Sequence, residues 1–312
     1  MFSTPFFSNL FATAQQVLIL YILIAVGFFA DKAGIYTEKA SRLNTDLLFY
    51  IVTPLVIVNS FVSMDNSPEH IKGLGLAILL GFLIHLVGLI LTLPIFRKGD
   101  IRQCGIYRFA CMYCNCGYMA LPLAQAVLGD IGVFYCSAVV MVFNVVSFTH
   151  GVTIMGAQKN GFQLKKLLIN PGTIGVAIGL PLFLLKVKLP TLIASPVSSL
   201  AALNTPLAML IFGTYLANTD LKTMFKDKNI YLVSFIKLVL IPLIMFGILT
   251  VTKVSYELRV AMTLASAAPS ANNTVVFAGK YDLDTGTASK TVGLVSFLSI
   301  LTMPIMIALA QM

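Results

Sequence analysis

The sequence predicts an all-α polytopic membrane protein of ten transmembrane helices, arranged as two inverted five-helix repeats. Three observations predict it: the composition, the spacing of the apolar runs, and a self-match at one constant offset. Of 312 residues, 58% are hydrophobic and only 11% are charged. A soluble domain of this size carries roughly twice that charge. Lipid must therefore be the solvent for most of the apolar surface. The net charge of +9 does not point to nucleic acid, because the basic residues sit in short spacers and form no stripe.

The apolar runs lie near 15–31, 43–63, 73–95, 104–128, 131–156, 167–186, 196–217, 230–251, 258–279 and 287–310. Each approaches the roughly 20 residues a helix needs to cross the hydrocarbon. Residues 1–16 carry no Lys or Arg, and no small-residue cleavage site follows a basic leader, so the first helix is read as retained. Spacers after odd-numbered runs hold fifteen basic residues, among them Lys32, Lys39, Arg42, Lys159, Lys222 and Lys226. Spacers after even-numbered runs hold five: Lys72, Lys186, Lys188, Lys253 and Arg259. The positive-inside rule then places both termini on the non-cytoplasmic side of a plasma or bacterial inner membrane.

Shifted by 152 positions, the chain matches itself. Ala25-Val26-Gly27 meets Ala177-Ile178-Gly179, and Thr53-Pro54-Leu55 meets Thr205-Pro206-Leu207. Ile84-His85-Leu86-Val87 meets Ile236-Lys237-Leu238-Val239, and Asp130 meets Asp282. One offset held across four segments defines two repeats, 15–156 and 167–308, within a single transporter domain covering 1–312. Five spans per repeat means that the second enters from the opposite side. Inverted repeats of this kind belong mostly to secondary transporters, with the substrate near the midplane between them.

Runs four and nine are interrupted at corresponding places. The fourth reads Cys114-Asn115-Cys116-Gly117-Tyr118-Met119-Ala120-Leu121-Pro122, and the ninth Ala268-Pro269-Ser270-Ala271-Asn272-Asn273-Thr274. Proline removes a backbone donor and clashes with the preceding turn. In hydrocarbon the freed backbone groups need partners, so such breaks face protein or a wet cavity. The N-terminal end of a half-helix carries partial positive charge and free N–H groups. Two such ends beside Asn115, Asn272 and Asn273 suit a small anion such as a carboxylate. The alternative is a pair of simple kinks in packed helices.

Tyr21 through Gly34, Thr53-Pro54-Leu55 to Ser60-Phe61, Asn115 through Leu123, and Pro269-Ser-Ala-Asn272-Asn273 followed by Gly279 together resemble the auxin efflux carrier family, including its bacterial malate-permease-like members. The resemblance covers essentially the whole chain. It implies that broken spans four and nine cross at their breaks. It also implies a scaffold of spans one, two, six and seven beside a mobile core, and transport of small organic anions. The substrate site it implies maps onto Asn115, Gly117, Tyr118, Pro122, Pro269, Asn272 and Asn273, with Ser270 beside them. The long central hydrophilic loop of many plant members is missing here.

All twelve acidic residues fall in or near spacers, Asp46 just inside the second run. This argues against a cation antiporter built on buried carboxylates. His85 and Lys237 instead fall inside runs three and eight at repeat-equivalent positions. An ionisable group there is expensive and generally functional. His85 is a proton-coupling candidate, against an inter-helix hydrogen bond. Lys237 is a charge-balancing candidate, against snorkelling to the interface. Cys111-Met-Tyr-Cys114 reads as close helix packing rather than a zinc site. No Ser-His-Asp set, HExxH or phosphate loop is present. The expectation is a transporter, not an enzyme, with no cofactor and no metal. Its expected partners are a small organic anion, protons or sodium, and the bilayer, with a homodimer permitted. The competing readings are a sodium-coupled organic-anion symporter and a ligand-binding membrane sensor.

Overall fold

The computed structural model describes residues 4–97, 99–156, 170–218, 225 and 227–312. The spacer residues Lys98, Lys159, Lys165, Lys166, Lys222 and Lys226, and the first residues of the sixth run, lie outside them. Among the described residues the chain is helical with no named strand. Its helices are α1 (Thr4–Lys32), α2 (Glu38–Ser63), α3 (Pro68–Ile95), α4 (Ile101–Met112), α5 (Cys116–Leu128), α6 (Asp130–Ile154), α7 (Pro171–Leu184), α8 (Thr191–Ala217), α9 (Lys228–Val251), α10 (Tyr256–Ala267), α11 (Asn273–Lys280) and α12 (Thr285–Ala310). Six of them, α2, α3, α6, α8, α9 and α12, are long and apolar enough to cross a membrane. Helices α5 and α7 are shorter and apolar.

Several helices begin earlier than their apolar runs, and caps explain it. Ser67 accepts a hydrogen bond from the amide of His70 and starts α3 at Pro68 rather than 73. Asp100 caps α4 through Arg102 N at 2.9 Å, and Ser255 caps α10 through Leu258 N at 3.3 Å. A side-chain oxygen satisfies an otherwise orphaned amide at each helix start. These first turns are polar because they lie near water, so hydropathy alone does not count them.

Small residues set the packing. Helix α1 lies against α8 so closely that a Cβ on Gly27 would strike the Leu210 backbone, and one on Gly213 would strike Ile24 and Phe28. Contact through glycine lets helix backbones approach where lipid supplies no hydrophobic drive between them. Helix α7 packs likewise on the second half of α2. The most enclosed helices are α4, α6 and α10: Phe109, Tyr113, Val139, Ala261 and Leu264 have no exposed surface. The core therefore surrounds the two interrupted segments.

Among the described residues four π-helical turns occur, at Leu48–Val52, Cys116–Ala120, Ser147–Gly151 and Ile236–Leu240. Such turns concentrate at functional positions. One opens α5 at the first interruption, and another carries Lys237.

Candidate functional site

Helix α4 ends at Met112, and Tyr113 and Cys114 continue as extended chain before Asn115 turns into α5 at Cys116. Helix α10 ends at Ala267, and α11 begins at Asn273. The two extended stretches lie antiparallel, with Cys114 opposite Ser270. Asn115 N donates to Pro269 O at 2.7 Å, and Ala271 N donates to Tyr113 O at 2.8 Å. Each break thus supplies the partners that the other break needs. The Ser270 hydroxyl donates to Ala110 O at 2.7 Å, meeting one of the orphaned carbonyls at the end of α4.

The half-helices that leave this crossing start at asparagines. Asn115 Oδ1 accepts from Tyr118 N at 3.2 Å and caps α5. Asn272 is the N-cap of α11, and its side chain makes no cap hydrogen bond. Both line a cavity of about 320 Å³, together with Tyr118, Ser41, Thr45, Thr214 and Ser296. Its far end carries Glu38 and Arg42, paired at 2.6 Å and both well exposed. A second space, about 50 Å³, is lined by Asn115, Gly117, Tyr118, Asn272 and Asn273, with Asn144 and Asn170 behind them. A Cβ on Gly117 would meet nothing within 4 Å, so the α5 backbone is open to that space. The Tyr118 ring stacks on Phe49 at 5.8 Å. Amide side chains and helix N-termini form a surface suited to a small anion.

The residues singled out in the sequence divide into three groups. Asn115, Gly117, Tyr118, Asn272 and Asn273 face the cavities. Pro122, Pro269 and Ser270 build the crossing and its support without lining either cavity; the Pro122 carbonyl accepts from Thr205 Oγ1 at 3.1 Å. His85 and Lys237 line neither cavity and are buried. Lys237 Nζ donates to Ser266 O at 3.1 Å, near the C-terminal end of α10. Its ammonium has no exposure at all, which overturns snorkelling: the stem turns into the bundle, where the carbonyl end of a half-helix holds partial negative charge. His85 Nδ1 lies 2.8 Å from Gly81 O, so that nitrogen carries the proton, and Nε2 is left without a partner. Its ring lies 5.4 Å from that of Tyr113, the C-cap of α4.

Sequence reasoning missed Thr214, Ser41 and Thr45 on the cavity wall and Asn170 behind the crossing. Single Ser and Thr residues in apolar runs look like ordinary helix hydroxyls, and no spacing pattern distinguishes these. Asn144 donates to Asn170 Oδ1 at 3.0 Å and to Thr173 Oγ1 at 3.2 Å, so it bonds a neighbouring helix. The cysteines form no disulfide and are buried; Cys111 Sγ faces Val233 O and Cys136 Sγ faces Ala261 O.

Comparison with known proteins gives this arrangement a context. An uncharacterized transporter of Methanocaldococcus jannaschii is 24% identical over 277 residues, covering 86% of this chain and 89% of that protein. A protein of Rhizobium meliloti named "Putative malonate transporter" is 24% identical over 303 residues, 92% of each chain. An uncharacterized transporter of Saccharomyces cerevisiae is 26% identical over 106 residues, 31% of this chain and 16% of its own length. Residues 12–307 match the family described as membrane transport protein. Matched over nearly its whole length, the chain belongs to this family of integral membrane transporters, the auxin efflux carrier family.

Proposed function

We propose that the chain is a secondary active transporter that moves small organic anions, carboxylates above all, by alternating access. The observation that carries this reading is the antiparallel backbone pairing of Cys114 with Ser270. It holds two half-helix N-termini and three asparagine amides beside one cavity. Oriented amides and helix ends stabilise a carboxylate without a buried cation in the cavity. The name of the Rhizobium meliloti relative includes malonate, which supports a carboxylate substrate.

In this reading the chain crosses the membrane ten times, as inverted repeats 15–156 and 167–308. Helices α4 and α5 form the fourth span and α10 and α11 the ninth. The packing supports it. Helix α1 lies on α8 and α7 lies on α2, pairings that the 152-residue offset interchanges. Gly27 meets the α8 backbone, and its counterpart Gly179 meets Phe61 on α2. The basic spacers make the Glu38–Arg42 end cytoplasmic and both termini external. The larger cavity then faces inward. Pro269, Ser270 and Pro122 keep the crossing in register, while Asn115, Gly117, Tyr118, Asn272 and Asn273 bind the anion.

Proton coupling through His85 takes precedence over sodium coupling. Its Nε2 is a buried acceptor with no partner. Counterflow of labelled organic acids in proteoliposomes, with imposed proton or sodium gradients, tests the proposal. Saturable exchange of a carboxylate supports it; no exchange across a panel of mono- and dicarboxylates rejects it.

A further inference from the structure

We propose that Cys114 and Cys116 are a redox-active thiol pair, and that peroxide closes them into a disulfide around Asn115 and stops transport. The chemistry stands on the two thiols; its effect on activity rests on the transport reading above.

The local backbone prepares the pair. Cys114 belongs to the first break, where it lies opposite Ser270, and Cys116 opens α5. Asn115 between them has φ −78° and ψ 65°, and Cys116 N donates to Cys114 O at 2.9 Å. That conformation and that hydrogen bond are an inverse γ-turn. In an extended chain, residues two apart are separated by roughly 6.6 Å. The turn shortens this toward the roughly 5.5–6 Å between Cα atoms that a disulfide prefers. The two thiols are already in hydrogen-bond contact with each other. Neighbouring cysteines point to carbonyls of other helices: Cys111 Sγ to Val233 O and Cys136 Sγ to Ala261 O.

The pair also borders open space. Both cysteines line the space of about 50 Å³ that Asn115, Gly117 and Asn272 share. That volume admits a molecule of the size of water or hydrogen peroxide. Cys116 keeps 3% of its surface exposed and Cys114 none, so Cys116 is the thiol that peroxide meets first. Its sulfur attacks one peroxide oxygen, the O–O bond breaks, and the leaving hydroxide takes the thiol proton and departs as water. The Cys114 sulfur then attacks the sulfur of the Cys116 sulfenic acid. The S–S bond forms, the S–O bond breaks, and a second water leaves with the Cys114 proton. Two thiols have lost two electrons, and one peroxide has become two waters. The buried Lys237 ammonium acts through its charge on Cys114 and Cys116, and a nearby cation stabilises the thiolate that attacks. The ring so closed contains the Asn115 backbone, and the Asn115 side chain caps α5 and lines both cavities. The disulfide therefore fixes the residue on which anion binding turns.

The purified protein is treated with hydrogen peroxide, its free thiols are alkylated, and it is cleaved after Tyr113 and Tyr118, which separates Cys111 from the pair. The expected peptide, Cys114–Tyr118, is two hydrogens lighter and unalkylated, and dithiothreitol restores two alkylatable thiols. In proteoliposomes, counterflow of labelled carboxylates is lost on oxidation and returns with dithiothreitol. Cys116→Ser and Cys116→Ala keep their counterflow in peroxide, while Cys111→Ser, which retains the pair, is inhibited like wild type. An unchanged peptide, or a disulfide that joins Cys111 to Cys114, overturns the pair. A Cys114–Cys116 disulfide that leaves counterflow unchanged overturns its control of transport, and so does equal inhibition of the Cys116 variants. A protein that forms the disulfide but exchanges no organic acid upholds the pair and rejects the transport reading itself.

Discussion

The ammonium of Lys237 donates to the Ser266 carbonyl at 3.1 Å from a site with no solvent exposure. Ser266 lies in the last turn of α10, where carbonyls lack intrahelical partners and the helix end is partly negative. Lys237 thereby meets an otherwise unpartnered carbonyl at the end of the half-helix without lining either cavity.

This relationship sets the order of two substitutions at that position. Lys237→Met keeps the stem and removes both the charge and its desolvation, so the folded protein should lose little stability. Lys237→Arg forces a larger, forked cation into a filled site and should destabilise it by about 1–3 kcal/mol. Thermal unfolding in detergent measures both. A stable Arg variant with wild-type anion affinity, beside a Met variant that has lost it, would return Lys237 to balancing substrate charge.

The asparagines at the crossing should act on affinity. Asn115→Ala also removes the cap of α5, so it should lower stability by about 1 kcal/mol as well as weaken binding. Asn272→Ala makes no cap bond to lose and should weaken substrate binding with less effect on folding. Asn273→Ala should resemble Asn272→Ala. Each lost contact corresponds to about 1–3 kcal/mol, or roughly ten- to hundredfold in affinity. Normal transport in all three would move the site elsewhere.

His85 separates coupling from packing. His85→Gln retains a donor for Gly81 O and removes the titrating Nε2. Exchange at equal pH on both sides should survive, while uphill uptake driven by a pH gradient should fail. If both activities fall in proportion, His85 only packs.

Sidedness is open to direct labelling. Ile35, 81% exposed between α1 and α2, and Asp65, exposed between α2 and α3, offer positions for single cysteines. The five native cysteines are buried. A cysteine at Ile35 should react with an impermeant reagent only from the cytoplasm, and one at Asp65 only from outside. Reaction of both from the same side would contradict a crossing by α2.

The apolar runs and both interruptions were readable along the chain, because lipid demands continuous apolar helices and tolerates Pro, Gly and Asn only where something else satisfies the backbone. Asn115 and Asn272 stood out for that reason, and they do share a cavity. The sequence also set residues 85 and 237 at the same 152-position offset, each inside an apolar run. Only the tertiary structure decided what they meet. A one-dimensional pattern says that an ionisable group is buried, but not whether a ligand or a helix end faces it. Lys237 meets Ser266, and His85 meets Gly81 within its own helix. The same holds for Thr214. Its spacing is that of any helix hydroxyl, and only the packing of α8 shows that its oxygen is buried without a partner. The pairing of Cys114 with Ser270 joins residues 156 positions apart, so backbone hydrogen bonding between two breaks appears only when the chain has closed upon itself.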